Sequence, residues 1–385
     1  MDYFRVADLF SGCGGFSQGF QNAGGFSIKY AADNNSGAME IYKLNNKAET
    51  YDLTDLSIQE NHNKIIQKLK DSIDVLVGGP PCQGFSTLGK RRDGDYRSTL
   101  VDIYADIALK VQPKIIVMEN VRGITSKKHP KGGTYLDSFY RKIQFSQNKE
   151  YKNYRVDHKE VLALDFGMAQ TRRRIFTIAI REDLVTLGNE LDIIWDHLNS
   201  QKEDISPCLK DVIGDLENNP PVFDRKIDTK LNRNNGHISM NHSAILKKRL
   251  SFVPIDGGLI NVPKELLNEH LKKMLDGKYG SGGHIKNIYG RLNWEGKVGT
   301  IVAGMDKITC GRFVHPESNR LLTPRECARL QSFSDKFILS GSQVSRYYSI
   351  GNAVPPKLSN VIVKSIYAFL ISKLRIKGDI VKEAA

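Results

Sequence analysis

The sequence predicts an α/β protein: a doubly wound, mostly parallel sheet in the first part of the chain, followed by a smaller, loop-rich lobe. Three observations carry this expectation. Short apolar runs alternate with segments of helical spacing up to about residue 181, the pattern of strands buried on both faces and joined by helices. Several of these runs end in polar residues, and in such a sheet ligands bind at the carboxyl ends of the strands. Beyond Glu182 the alternation gives way to turn-rich stretches such as NNPPVFD, NRNNG and YGSGG.

Taken in order, RVADLF (5–10) reads as the first buried strand and SIKYAAD (27–33) as the second, ending in an acid. DVLVGG (74–79), KIIVMEN (114–120) and IFTIAIR (175–181) supply three more. Between them Ser17–Ala23, Gly37–Leu44, Glu60–Lys70 and Leu100–Val111 place apolar residues three and four apart, as on the buried stripe of a helix. Residues 182–320 are expected to hold little helix, with KVGTIVAG (297–304) as a short strand-like piece. Thr323-Pro-Arg-Glu326 reads as a capped helix start, with Thr323 as N-cap and Glu326 completing a capping box. SNVIVKSIYAFLISKL (359–374) has helical spacing and is expected to close the first lobe. The predicted domains are 1–181 plus 345–376, then 182–344, with 377–385 as a fraying tail.

Composition narrows the class. With 385 residues, 40% apolar and 26% charged, the chain matches ordinary globular usage, not a disordered, collagenous or disulfide-built one. No apolar run approaches the roughly 18 residues of a membrane span, so a soluble, non-exported, cytoplasmic protein is expected. Five scattered cysteines without a C-x-x-C pair point to a reducing compartment and to no structural metal. His237 and His242 lack metal-ligand partners in sequence and are expected at the surface or in hydrogen bonds. Lys and Arg outnumber Asp and Glu by 56 to 43, and the excess is uneven. Residues 1–100 are balanced and 181–220 acidic, whereas 101–180, 221–300 and 301–385 are basic. Positive charge concentrated on particular stretches is the expected footprint of a surface facing phosphates.

The chemistry-bearing motifs sit at the strand ends. Asp8-Leu-Phe-Ser-Gly-Cys-Gly-Gly-Phe16 turns from the first strand into a helix; its glycines let the backbone approach a ligand, although a bare tight turn explains it as well. Asp33 ends the second strand, where an acid suits a ribose diol. In Gly78-Gly-Pro-Pro-Cys-Gln-Gly-Phe-Ser86 two prolines fix the backbone ahead of Cys82 and hold its thiol rigidly at the cleft edge. Glu119 and Asn120 close KIIVMEN, where a carboxylic acid can hydrogen-bond or protonate a heteroaromatic ring nitrogen. In Gln170-Thr-Arg-Arg-Arg174, strand alternation puts Arg172 and Arg174 on one face, for anion recognition or as a solvated basic turn.

Together these residues resemble the C5-cytosine DNA methyltransferases, of the bacterial restriction-modification type. The resemblance rests on DLFSGCGGF (8–16), GGPPCQGFS (78–86), MENVRGI (118–124), QTRRRIF (170–176), TPRECARLQSF (323–333) and IGNAVPP (350–356), in that order. It covers roughly 4–181 and 290–370 and is weak across 182–290. It implies a Rossmann-like sheet of the class I S-adenosylmethionine-dependent methyltransferase fold with a target-recognition domain. It also implies S-adenosylmethionine as donor, S-adenosylhomocysteine as product, no metal, and a cytosine flipped out of duplex DNA.

Carried over residue by residue, the resemblance makes Cys82 the nucleophile at cytosine C6 and Glu119 the group that engages N3. Arg172 and Arg174 would hold the target base and its phosphate. Phe10, Gly12 and Gly14, Asp33 with Asn34, Asp52 with Leu53, Pro80, Leu100, Asn352 and Val354 would form the cofactor pocket, Asp33 on the ribose and Asp52 on the adenine. Asn34 departs from the aromatic residue often found after the ribose acid, so another group would cover the adenine's second face. Gln83, Ser86 and Thr300 would touch DNA, and YGRLNW (289–294) would lead into the target loops. Cys13 and Cys327 are read as packing residues. The expected partners are double-stranded DNA and a cognate restriction endonuclease or defence system, with no membrane, for an enzyme acting as a monomer. The alternatives are a tRNA-directed relative and a non-catalytic DNA-binding regulator.

Overall fold

The computed structural model describes residues 3–81, 99–222, 236–276 and 287–376. By contact the chain divides into two compact units, one of Met1–Leu162, Arg173–Lys202 and Val354–Ala385, the other of Ala163–Arg172 and Glu203–Ala353. This division differs from the sequence-based boundaries: 182–202 pack with the first unit, whereas 163–172 and 345–353 pack with the second.

The first unit runs β1 (Phe4–Leu9), α1 (Gly15–Ala23), β2 (Phe26–Asp33), α2 (Ser36–Asn45), β3 (Ala48–Leu53), α3 (Gln59–Leu69) and β4 (Val75–Gly78). It continues through α4 (Leu100–Val111), β5 (Ile115–Asn120), α5 (Tyr135–Gln144), β6 (Tyr154–Leu162), β7 (Arg173–Arg181) and α6 (Glu190–Asn199), and ends in α12 (Pro356–Ile376). The seven strands form one sheet in the order β3-β2-β1-β4-β5-β7-β6. β1 to β5 are parallel to one another; β7 runs antiparallel to both β5 and β6. The doubly wound, mostly parallel sheet expected from the sequence is therefore present, and its five predicted strands are β1, β2, β4, β5 and β7.

Both faces of the central strands are buried, which is why they read as unbroken apolar runs. Ala7 and Leu9, Leu76, and Ile116 and Met118 join one core with α3, α4 and α5. Their neighbours Val6, Val75, Val77 and Val117 are also fully buried. β3 and β6 were not legible as strands, because both are edges. Both are only partly buried and carry charge among their exposed positions, Glu49 on β3 and Arg155, Lys159 and Glu160 on β6, the usual protection of an edge.

α12 closes the sheet against α1, as its sequence predicts. A Cβ at Gly19 would lie 2.0 Å from Ser359 Oγ and 2.7 Å from the Asn360 backbone nitrogen, so glycine permits this close approach. Ser359 donates its hydroxyl proton to the Phe16 carbonyl at 2.7 Å, and Phe20, Phe26 and Tyr367 pack edge-on beside it.

The second unit is built from short helices: α7 (Leu209–Ile213), α8 (Ala244–Leu250), α9 (Glu269–Leu275), α10 (Pro324–Leu330) and α11 (Gln343–Asn352). It has no strand element among the described residues. KVGTIVAG, expected to be strand-like, forms only an isolated bridge between Val298 and Gln170. The correction has a local cause: the carbonyl of Ile301 takes Arg172 and its N–H goes to the Gln170 side chain, so no ladder can form there. α10 begins as predicted. Thr323 caps it, Glu326 completes the box, and Cys327 is fully buried.

Two buried arginines organise this unit. Arg320 makes a bidentate pair with Glu326, both bonds at 2.8 Å, which holds the Glu326 carboxyl below its usual range despite complete burial. Arg291 of YGRLNW donates to the carbonyls of Leu250, Val253, His315 and Ser318 and to Asn319 Oδ1, at 2.7–3.0 Å. The predicted hydrogen-bonding histidines do bond: His237 meets Thr323 Oγ1 and the Glu217 carbonyl, and His242 Nε2 accepts the Leu321 N–H.

Candidate active site

The residues singled out at the strand ends converge in the first unit. After β1 the chain turns through Phe10, Gly12 and Gly14, all left-handed, with φ of 57°, 55° and 89°. At Gly14 a Cβ would sit 2.1 Å from Asn46 Nδ2 and 2.8 Å from the Tyr42 ring, so no other residue fits. At Gly12 a Cβ would meet nothing within 4 Å, so the turn faces open space there. The ring of Phe10 packs on the core beside Tyr104, with centroids 6.4 Å apart.

Asp33, at the end of β2, is fixed by that turn. Its Oδ2 accepts the Gly12 N–H and its Oδ1 the Asn35 N–H, both at 2.8 Å. Burial pushes its carboxyl up, against the downward pull of the Asn35, Gly12 and Asn34 N–H groups. With three N–H groups on its two oxygens, the carboxylate keeps room for a ligand hydroxyl. Asn34 is exposed, and so is Leu53, at 57%. Asp52, on β3, accepts hydrogen bonds from the Tyr30 hydroxyl and from Lys68 Nζ.

β4 leads into the Pro-Pro motif. A Cβ at Gly78 would lie 2.7 Å from the Tyr104 ring and 2.9 Å from the Leu9 carbonyl. Pro80 is buried and its carbonyl accepts from Asn120 Nδ2 at 3.1 Å, which ties this segment to the end of β5. Sequence reasoning gave Asn120 no role beyond a polar strand end. Leu100, the first residue of α4, is also buried. Cys82, Gln83 and Ser86 lie outside the described residues.

Glu119 stands beside this segment: its Oε2 is 3.7 Å from the position a Gly79 Cβ would take. Arg174 Nε meets Glu119 Oε1 at 2.9 Å, and both side chains are nearly buried. The antiparallel pairing makes the contact, because Glu119 opposes Phe176 and Asn120 opposes Ile175.

Arg172 behaves differently from Arg174, and the sequence-based alternation fails for it. β7 begins only at Arg173. Arg172 belongs to the second unit, is 2% exposed, and donates to the carbonyls of Ile301 and Ala353 at 3.0 and 3.1 Å. Gln170, completely buried, bonds Leu330, Gln331 and Ile301. Thr300 and Asn352 also fall in the second unit, whereas Val354 is a buried residue of the first.

One buried group was missed. Asp8, 1% exposed, accepts from Ser17 Oγ at 2.7 Å, and Ser17 in turn lies 2.6 Å from the Tyr42 hydroxyl. Its Oδ1 has no hydrogen-bond partner among the described residues. Burial raises its pKa to about 7. In the unfolded chain the same carboxyl ionises near 4. Its contribution to stability is therefore full below that value and falls as the pH climbs to about 7, over a span of about 4 kcal/mol. Asp8→Asn should lose this slope. Thermal melts should show the variant gaining on the parent from about pH 4 to about pH 7; parallel curves would contradict the assignment. Cys13, pushed up to about 12 by burial, stays a thiol and packs, as expected.

The Asp33 carboxylate, the open ground before Gly12 and the exposed Leu53 fit a ligand with a ribose diol and an apolar ring. Among the described residues no group of three His, Cys, Asp or Glu side chains is placed to hold a metal ion. No helix among them is long and apolar enough to cross a membrane.

Comparison with known proteins identifies the family. The family model for C-5 cytosine-specific DNA methylase matches residues 4–368. The Type II methyltransferase M.AgeI of Thalassovita gelatinovora is 30% identical, with 94% of this chain and 99% of that protein aligned. M.DdeI of Desulfomicrobium norvegicum is 28% identical over 94% of this chain and 88% of its own length. Among solved structures, a protein described as a DNA modification methyltransferase encoded within an E. coli prophage aligns with a TM-score of 0.68. It is 24% identical and covers 96% of this chain and 99% of its own. Entamoeba histolytica EhMeth aligns at 0.61 with 17% identity, covering 96% and 99%. With its six motifs in order and the match running nearly end to end, this chain belongs to the C-5 cytosine-specific DNA methylase family.

Proposed function

We infer that the protein is an S-adenosylmethionine-dependent DNA (cytosine-5-)-methyltransferase acting on a flipped-out cytosine within a specific duplex sequence. The observation that carries the reading is Glu119, nearly buried, ion-paired to Arg174 and set beside the Gly79–Pro80 segment that leads into Cys82. A flipped base is required because C6 is inaccessible inside a duplex.

Phe10, Gly12, Gly14, Asp33 and Leu53 would hold the cofactor, with Asp52, Pro80, Leu100 and Val354 of the same unit completing its surroundings. When bound, S-adenosylmethionine supplies the methyl group. The Cys82 thiolate adds to C6 and turns the unreactive C5 into an enamine carbon. Glu119 carries the proton at N3 that draws electron density out of the ring. Arg174 orients that carboxyl. Loss of the C5 proton then expels Cys82 and restores the aromatic ring. Gln83, Ser86 and Thr300 would meet the DNA, and the second unit would read the target sequence. The protein would act as a cytoplasmic monomer alongside a restriction endonuclease or other defence partner.

Tritium transfer from labelled S-adenosylmethionine to duplex DNA and to tRNA, run in parallel, tests this reading. Label is expected on DNA cytosine C5, and bisulfite sequencing of plasmid from an expressing host would give the site. Transfer to tRNA alone overturns the DNA assignment.

A further inference from the structure

The Glu119–Arg174 pair has a second, exposed ion cluster beside it in the first unit. Glu160, on β6, bonds two guanidiniums at once: Arg173 Nη1 meets Oε1 at 2.9 Å and Arg122 Nε meets Oε2 at 3.2 Å. Register places all three at one end of the sheet. Glu160 opposes Ile175 on β7, Ile175 opposes Asn120 on β5, and Arg122 follows two residues later. This is the carboxyl end of β5, where Glu119 stands.

The chemistry of the cluster is lopsided. Two permanent cations share one carboxylate, leaving a surplus positive charge. The Arg122 side chain is 76% exposed and that of Arg173 52%, whereas Glu160 is 27% exposed. Arg122 meets Glu160 through its Nε, and among the described residues no other acidic group pairs with it, so its Nη1/Nη2 fork, the edge that suits a bidentate oxyanion, stays available. Exposed ion pairs are weak, so an incoming anion can open this one at little cost. Glu160 therefore pre-orients both arginines and competes with whatever they bind.

We propose that Arg122 and Arg173 form a clamp for a backbone phosphate of the substrate DNA, with Glu160 as its built-in competitor that weakens the contact. The proposal rests on the DNA methyltransferase reading and adds to it a contact that positions the strand without reading its bases. Neither arginine lies in the cofactor cradle, and neither touches Glu119.

Fluorescence anisotropy with a labelled, mixed-sequence duplex tests it on the full chain across a salt series. Arg122→Gln/Arg173→Gln should weaken binding roughly tenfold at moderate salt and lower the slope of log K against log salt by about 1, the value for one lost phosphate contact. Glu160→Gln should tighten binding several-fold, a gain that misfolding cannot imitate. Arg155→Gln, which removes an exposed charge at the opposite end of β6, should leave the slope unchanged. If the double variant keeps the parental affinity and slope, or Arg155→Gln matches its loss, or Glu160→Gln binds no tighter, the clamp is refuted while the enzyme reading stands. If the parent neither binds nor methylates duplex DNA, that reading falls and the clamp with it.

Discussion

Cys82→Ser should abolish methylation, by roughly a thousandfold or more, while leaving DNA and cofactor binding near parental values. A serine hydroxyl is scarcely ionised at neutral pH and cannot add to C6 as a thiolate does. The segment that leads to it is held without the sulfur: the Pro80 carbonyl accepts from Asn120, and Gly78 leaves the Tyr104 ring room that a Cβ would take. The parent should also form a covalent complex with duplex DNA carrying 5-fluorocytosine, because fluorine at C5 cannot leave as a proton and the adduct is trapped. The variant should form none. Near-parental turnover by Cys82→Ser would sink the covalent mechanism.

Arg291→Met should destabilise the second unit by about 5 kcal/mol. The guanidinium is 5% exposed and satisfies four backbone carbonyls and the Asn319 amide oxygen. Methionine fills similar space but donates nothing, so five acceptors lose a charged donor at once. Lysine keeps the charge but cannot reach carbonyls on two sides of a planar fork, so Arg291→Lys should recover little. Chemical denaturation gives the loss, and limited proteolysis should place the new cleavage sites within residues 203–353. A loss below about 1 kcal/mol would show that water replaces the guanidinium readily.

How much was legible depended on where each residue's partners lie in sequence. The central strands announce themselves because burial on both faces leaves only apolar residues. The glycine turn after β1 is equally local, since Gly12 and Gly14 take left-handed φ values of 55° and 89°. The α10 cap was readable for the same reason: Thr323 and Glu326 are three residues apart. Edge strands β3 and β6 were not readable, because charged edges mimic loops in composition.

The arginine triplet shows the limit most plainly. Its three residues look interchangeable in sequence, yet Arg172 is buried against carbonyls, Arg173 lies on the surface with Glu160, and Arg174 pairs with Glu119. Composition cannot separate these fates, because each acceptor comes from a segment far away along the chain. The same holds for Asp8, whose raised pKa depends on how deeply α1 and α2 bury it with Ser17 and Tyr42.

By itself the sequence determined the family, the sheet and the glycine turn, because these rest on short-range patterns and near-neighbour geometry. Only the tertiary structure decided which charges are spent internally and which remain for a ligand. Desolvation and pairing depend on every group that surrounds a charge, and those groups are assembled by the fold.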